Sequence, residues 1–451
     1  MRAVLALAPG LHRAGGKDTQ LTTALGVAAF AVTTALTLSV VGGLLGFVGR
    51  EAQPQTAYQA EWSDIYVILA WTAVVLLGVP LLSLGGAAAR LGVARRDARL
   101  ATLRLLGVTP REVVGLTLVE TSGQGLVGAA LGVLLYGLML PLWALVPFQG
   151  SSFTVGELWV GWTVVLVALL AVPLLAAVSG AVSLRRVVLS PLGVARRERP
   201  KKLSVVRLLV AVVGVGTFMV ISTALGAFGA AAFAFLVGGL ALAFAALNVV
   251  GPWVLGLLAR IQLRRASTPA RLLAARRLLD DPRAAWRVVG GLGLAGFVAG
   301  ALAIVPSLAA SSTDDPDQQL LLTDLSTGAL LTLVIAFVLA AVSAGVAQAA
   351  SVLDRRREYA LQHLAGVPAE LLDEVRRREV LGPLLLVTVG STAASVLMFA
   401  PWLGLTGVSS PGGMVMLAVC LTGGLLLVVG AVESTRPLLR SVLRDPVVRA
   451  D

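Results

Sequence analysis

Two related segments of this chain determine its architecture: RRDARLATLRLLGVTPREVVGLTLVETSG at residues 95–123 and RRREYALQHLAGVPAELLDEVRRREVLG at residues 355–382. Superimposing Gly107 on Gly366 gives a constant offset of 259 residues, and this offset also aligns a glutamate 13 residues further on in both copies. Self-similarity at a fixed offset indicates a duplicated structural unit. The chain is therefore predicted to contain two copies of one unit.

Ten apolar stretches surround these segments, and each is long enough to cross a bilayer as a helix, which requires about 20 apolar residues. Hydrophobic residues make up 57% of the chain and charged residues only 13%. The mean hydropathy of +0.90 also lies far outside the range of soluble proteins. We therefore predict an all-α integral membrane protein with ten transmembrane helices, at about residues 21–48, 65–88, 113–139, 158–182, 203–225, 230–258, 288–310, 326–350, 380–405 and 412–432.

The basic residues are sorted by side of the membrane. Of the 36 Lys and Arg residues, all but Arg50 fall in alternate connecting segments or at the adjoining edge of a span. Short segments rich in Lys and Arg stay in the cytoplasm, so both termini are predicted to be cytoplasmic. The preference for Arg over Lys is typical of a GC-rich bacterial genome, which predicts the bacterial cytoplasmic (inner) membrane. The net charge of +12 then faces anionic lipid headgroups, and nucleic acid is not expected as a partner.

The duplication divides the predicted spans into three parts. Residues 1–200 form the first unit with spans 1–4, and residues 261–451 form the second unit with spans 7–10. Residues 201–260 form a linking transmembrane hairpin, spans 5 and 6, which the repeat does not explain. Because six spans separate corresponding positions, the two units have the same orientation in the membrane.

A short amphipathic helix ending at a glycine is predicted in each copy. In the first copy, Leu100, Leu103 and Leu106 are spaced to form one apolar stripe. Gly107 and Gly366 occupy positions where helices end in a residue with positive φ. A short helix that turns sharply into a spanning helix acts as a lever. The alternative is a helix that only lies on the lipid surface.

In the second copy, two arginines of the lever helix are expected to face away from its leucines. Arg356 and Arg357 are placed on the side opposite Leu361 and Leu364. The arginines would then be available to a partner in the cytoplasm.

These segments resemble the FtsX-like permease domain of ABC transporters. The resemblance rests on the paired arginines, the acidic residue, the Leu-rich turn with its glycine, and the glutamate that opens the following span. The second copy is the closer match, with Arg-Arg-Arg-Glu at residues 355–358; in the first copy, Arg99 stands in the position of Glu358 and Asp97 lies two residues earlier. Two such units with an extra helix pair resemble the ten-span, full-length permeases of this family.

The resemblance implies a permease subunit that works with a separate ABC-type ATP-binding subunit, two copies per chain, which carries the ATP and Mg²⁺. This chain itself is then not an enzyme and needs no cofactor. The implied activity is export or extraction of a hydrophobic cargo (a lipid, lipoprotein or membrane-active antibiotic), or force transmission across the membrane. The implied ATPase-coupling residues are Arg95, Arg96, Arg99, Arg104 and Gly107 in the first copy, and Arg355, Arg356, Arg357, Glu358 and Gly366 in the second.

Two other classes of protein remain as alternatives. A secondary transporter built from repeats would usually have interrupted helices and polar groups near the membrane midplane, whereas the centres of these spans are poor in charge. A membrane scaffold without transport activity is the other alternative.

No catalytic, metal or nucleotide site is predicted in the chain. The two histidines, His12 and His363, are distant in sequence, and Cys420 is the single cysteine, so neither zinc-ligand spacing nor a nucleophile–base pair is present. The segment at residues 10–18 departs from a phosphate-binding loop, since Asp18 stands where Ser or Thr is required. The outer loop after the seventh span is predicted to be solvated and acidic rather than a cation site; it carries Asp314, Asp315, Asp317 and Asp324.

Two glutamates, Glu120 and Glu379, enter the third and ninth spans, where a carboxylate is a candidate functional group. Both lie near the cytoplasmic boundary, within reach of Arg111 or of the three arginines at residues 376–378. Two interpretations stay open: a structural or coupling ion pair, and a site for cargo or protons.

Glycines within the spans are predicted to permit close helix packing, because small residues let two backbones approach. The relevant pairs are Gly128 and Gly132 in the third span, and Gly296 and Gly300 in the seventh.

Overall fold

The computed structural model of the protein describes residues 16–94, 110–188, 213, 216, 231–302, 315–403 and 411–444. These residues are almost entirely helical, which confirms the predicted all-α class; the only strands among them form a two-residue hairpin. The elements are α1 Gly16–Ala52, α2 Ala57–Ala94, α3 Pro110–Ala144, β1 Pro147–Phe148, β2 Ser151–Ser152, α4 Val155–Leu158, α5 Gly161–Val188, α6 Ala231–Arg264, α7 Pro269–Asp280, α8 Pro282–Leu302, α9 Pro316–Asp354, α10 Arg356–Leu364, α11 Ala369–Leu403, α12 Pro411–Glu433 and α13 Arg436–Arg444.

Eight helices in the described part of the chain are long and apolar enough to cross a membrane. They correspond to predicted spans 1–4, 6 and 8–10, and they make this a multi-pass membrane protein. The fifth predicted span, 203–225, lies almost entirely outside the described residues. The seventh is described as far as Leu302, and its apolar part, Val288–Gly300, is shorter. The count of ten and the three domain boundaries stay predictions.

The helices pack as two groups of similar design. In the first, α1 packs against α2 and α3, and α5 packs against α2 and α3. In the second, α8 packs against α9 and α11, and α12 packs against α9. The first and third spans of each predicted unit are therefore direct neighbours, as a duplicated unit requires.

The predicted close packing at glycines is confirmed in both groups. A Cβ added to Gly132 on α3 would lie 2.6 Å from Cβ of Thr34 on α1. In the second group the glycine is on the other helix: a Cβ added to Gly300 on α8 would lie 2.8 Å from Cβ of Ser395 on α11. Gly128 and Gly296 make equally close approaches to the same neighbouring helices.

The two groups meet where α2 and α9 pack together, the second span of one unit against the second span of the other. Their buried apolar side chains belong to one continuous cluster, in which Leu77, Leu81 and Leu84 of α2 join Leu333 and Phe337 of α9. Helices inside a membrane associate through such close packing, because lipid supplies no hydrophobic drive.

The outer connection between α3 and α5 folds into a tight hairpin. Strand β1 pairs antiparallel with β2, and Gln149 and Gly150 form the turn with φ of 56° and 74°. Two successive residues with positive φ are typical of the two-residue turns that match the twist of a hairpin.

Arg50 at the end of α1 is buried against this hairpin. Its guanidinium donates to the carbonyl oxygens of Phe148 (2.9 Å) and Ser152 (3.1 Å) and pairs with Glu157 at 2.9 Å. It also lies over the ring of Phe153, 3.8 Å from the centroid. The single basic residue assigned to the outer side is thus enclosed by acceptors of the connection between α3 and α5.

Candidate functional site

The lever helix of the second copy is α10, Arg356–Leu364, which we call the coupling helix. It ends as predicted: Gly366 has a φ of +89°. The N–H of Gly366 donates to the carbonyl of His363 and the N–H of Val367 to that of Gln362, both at 3.0 Å. This bond pair is the Schellman arrangement, which closes a helix end through a residue in the left-handed region.

One face of the coupling helix is exposed and carries both charge and apolar surface. Leu361 and Leu364 are 49% and 62% exposed. Arg357 is also exposed, and its spacing of four and seven residues from these leucines places all three on one helix face. The prediction that Arg357 faces away from the leucines is therefore wrong, since the inward face belongs to Tyr359 and Ala360.

The inward face anchors the coupling helix to the second group of helices. Tyr359 is buried in a small apolar cluster with Val352 of α9, Leu372 of α11 and Leu439 of α13. Val367, just beyond the Schellman turn, packs against the same cluster. A displacement of the coupling helix must therefore act on three neighbouring helices.

A largely buried arginine on α7 contacts side chains of the coupling helix. Arg277 of α7 donates to the hydroxyl of Tyr359 at 3.0 Å and to the amide oxygen of Gln362 at 3.4 Å. Its guanidinium carbon also lies 5.0 Å from the centroid of the Tyr359 ring.

Glu379 completes this network from α11. Its carboxylate lies 3.5 Å from Arg355, the residue joining α9 to the coupling helix, and 3.8 Å from Arg277. The ion-pair interpretation of Glu379 is thus supported, but the expected partners at residues 376–378 are wrong. Those arginines are engaged by other carboxylates, because Arg376 pairs with Asp373 and the next two pair with Glu433 and Glu374.

Arg376 forms a second polar cluster that sequence analysis missed. Its side chain is 0% exposed and donates to Asp373 at 2.9 and 3.1 Å, to the carbonyl of Val432 at 2.9 Å and to the hydroxyl of Thr435 at 2.7 Å. Arg436 reaches the other oxygen of Asp373 at 3.0 Å. These contacts fasten the start of α11 to the end of α12.

At the outer end, Asp324 is not the solvated carboxylate that was predicted. It lies on α9, is 5% exposed, and accepts hydrogen bonds of 2.6 Å from both the Tyr66 hydroxyl and the Gln149 backbone N–H. Both donors belong to the first unit. Asp315, in contrast, caps the start of α9 by accepting from the N–H of Asp317 at 3.0 Å.

The structure describes only some of the predicted ATPase-coupling residues. The structure brings Arg355, Arg356, Arg357, Glu358 and Gly366 together on the short segment around the coupling helix, next to Glu379. The corresponding first-copy residues Arg95, Arg96, Arg99, Arg104 and Gly107 lie outside the described residues, while Glu120 lies half-buried on α3. Within the described ranges, no three His, Cys, Asp or Glu side chains are grouped to hold a metal ion.

Comparison with known proteins gives one result. Residues 86–191 match the family model described as FtsX-like permease C-terminal. The matched region is therefore similar to the C-terminal domain of FtsX-like permeases. Neither the curated proteins nor the solved structures that were searched gave a match to the chain.

The match confirms the family resemblance on the first unit, and it spans the first copy of the repeat together with spans 3 and 4. The matched region does not include the second copy at residues 355–382, which was predicted to be the closer match.

Proposed function

We propose that this chain is the membrane-spanning permease subunit of a bacterial ABC transporter in the inner membrane. Its coupling helix is the contact point for a separate ATP-binding subunit, which supplies the ATP and Mg²⁺. The observation that carries the proposal is the exposed face formed by Arg357, Leu361 and Leu364. The coupling helix ends in a Schellman turn at Gly366. The first copy of this segment lies within the region that matches the FtsX-like family model.

This face has the chemistry of a helix-in-groove contact. Two leucines at a spacing of three residues fit an apolar groove, and exposed apolar side chains outside the membrane are typical of interaction sites. Burying one leucine contributes about 1.5–3 kcal/mol. Arg357 on the same face favours an acidic rim on the partner, which sets orientation more than affinity.

A rigid path leads from this face to the outer side of the membrane. The coupling helix follows α9 after the single residue Arg355. Helix α9 has 39 residues and is therefore about 58 Å long at 1.5 Å per residue. A push on the coupling helix is transmitted along α9 to Asp324 and the outer loops of the first unit.

The distribution of charge favours this mechanism over a secondary transporter. In the described helices, every Asp, Glu, Lys and Arg lies within about three turns of a helix end. An ion-coupled transporter usually has ionisable groups near the midplane. The proposed cargo is accordingly hydrophobic: a lipid, lipoprotein or membrane-active antibiotic taken from the bilayer. In the alternative form of this proposal, the chain moves no cargo and only transmits force across the membrane.

The two lever segments indicate two ATPase subunits per chain, because a closed ATPase dimer presents two grooves. One subunit would lie beneath residues 95–107 and the other beneath residues 355–366. The duplicated glycine at the end of each segment supports equal placement of the two levers.

The test is binding of the ABC-type ATPases of the source bacterium to the detergent-purified chain. The wild-type chain should retain one kind of ATPase, at two copies per chain, and the double variant Leu361→Glu/Leu364→Glu should lose at least ten-fold in affinity. Arg265→Glu is the matched control, since Arg265 is also exposed and cytoplasmic but lies on another connection. Unchanged binding by the double variant would refute the assigned contact face.

A further inference from the structure

One guanidinium links three elements on the cytoplasmic side. Arg277 of α7 touches Tyr359 and Gln362 of the coupling helix and Glu379 of α11, and its side chain is only 10% exposed. The planar fork of arginine can serve several acceptors in fixed directions, which the point charge of lysine cannot. This arrangement fixes where the coupling helix stands relative to α7 and α11.

Helix α7 is itself connected to a span. It ends at Asp280 and is followed by α8 from Pro282 after a single residue. It also packs on α11. Arg277 therefore joins the coupling helix to two spans of the second unit, α8 through its own chain and α11 through Glu379.

The sequence of the first copy repeats only half of the residue types in this network. The 259-residue offset places Leu100 opposite Tyr359 and Leu103 opposite Gln362. A leucine side chain has no oxygen that could accept from an arginine, so the first copy has no side-chain acceptor at the two positions that Arg277 contacts in the second. The other half is duplicated, because Arg96 and Glu120 correspond to Arg355 and Glu379.

We infer that Arg277 is a positioning residue which makes the coupling helix, α7 and α11 move as one body. The second unit then transmits the larger share of the movement that ATP binding produces in the ATPase. This inference rests on the proposed function, since it assigns an unequal division of labour to the two levers. Arg277 acts through Tyr359 and Glu379 and does not itself contact the ATPase.

The test uses the full complex with its ATPase, reconstituted in vesicles of bacterial lipid. Spin labels at positions 61 and 317, both exposed on the outer side in different units, report the distance between the units. Cys420, which is buried, is replaced by alanine in every sample. Distances are measured without nucleotide and after trapping with ATP and vanadate.

Arg277→Gln should retain the bound ATPase but lose at least half of the vanadate-induced distance change. Arg276→Gln is the matched control, since Arg276 is the adjacent arginine and is exposed, and this variant should behave as wild type. Gln362→Leu introduces the residue type of the first copy and should lose a smaller part of the change, which keeps the test informative if Arg277→Gln folds poorly.

The outcomes separate the two proposals. A full distance change in both Arg277→Gln and Gln362→Leu, with ATPase bound, overturns the positioning role and leaves the proposed function standing. Absence of ATPase from the wild-type chain overturns the proposed function and this inference together. If Arg277→Gln loses ATPase binding and the other variants keep it, Arg277 belongs to the ATPase contact face, which contradicts the inference.

Discussion

The carboxylate of Asp324 accepts a 2.6 Å hydrogen bond from the hydroxyl of Tyr66, and these two residues belong to different helix groups. Gln149 adds a second bond of 2.6 Å to the same oxygen. The inner end of the same helix, α9, runs into Arg355 and its pair with Glu379. Helix α9 therefore makes a polar contact to the first helix group near its start, at Asp324. Its end, at Arg355, joins a polar network within the second helix group.

We expect Tyr66→Phe to weaken the outer contact between the units. A hydrogen bond to a charged acceptor contributes about 1.5–3 kcal/mol, and the substitution leaves Asp324 buried with one donor fewer. Tyr58→Phe is the control, because among the described residues the Tyr58 hydroxyl bonds to Tyr66 alone, at 2.9 Å. Thermal unfolding in detergent should show a clearly lower Tm for Tyr66→Phe. Equal Tm values for the two variants would mean that the bond to Asp324 contributes nothing.

We expect Gly366→Val to uncouple the ATPase while insertion and abundance stay normal. A Cβ at this position would meet nothing within 4 Å, so the cost is backbone strain alone, about 1–2 kcal/mol at positive φ. Gly366→Asn is the control, since asparagine tolerates this region. The measurement is stimulation of the ATPase by the reconstituted permease. Wild-type stimulation in the valine variant would show that the segment has no coupling role and is only a membrane-surface helix.

The two neighbouring arginines of the coupling helix should respond differently to charge reversal. Arg357 is exposed beside Leu361, so Arg357→Glu should weaken ATPase binding several-fold, and more strongly at low salt. Arg356 is half-buried on the inward face, so Arg356→Glu should lower the Tm of the permease instead. Binding titrations at two salt concentrations, with parallel unfolding curves, check this. Identical effects of the two substitutions would contradict the assignment of faces.

Arg376→Met should destabilise the protein strongly, because Asp373 would lose its buried partner. Removing one member of a buried ion pair costs about 3–5 kcal/mol. Arg378→Met is the control, since Arg378 forms a partly exposed pair with Glu374 that is worth about 0.3–0.5 kcal/mol. Thermal unfolding in detergent should separate the two variants by many degrees. A stable Arg376→Met variant would show that the pair is replaceable by apolar packing.

Local features of this protein were predictable from the sequence. The Gly366 turn follows from a Leu-rich helix, a glycine and a proline in order, and the close approach at Gly132 follows from small residues within an apolar span. In the first case the residues that determine the turn are neighbours in sequence. In the second, small residues within an apolar span have few roles other than close helix packing. The family resemblance drawn from the repeat was also confirmed, at residues 86–191.

Long-range polar pairing was not predictable in the same way. Asp324 was placed in a solvated loop, because Tyr66 and Gln149 are far from it in sequence and no periodicity connects them. Glu379 was paired with its sequence neighbours, although Arg277 and Arg355 reach it from other elements. A long arginine side chain can reach several partners, so only the tertiary packing decides which carboxylate it takes.

The central claim, a permease that carries its ATPases on two levers, is tested most directly by native mass spectrometry of the purified complex. We predict one permease chain with two ATP-binding subunits. Two permease chains with two ATP-binding subunits, or a permease without any, would contradict the account.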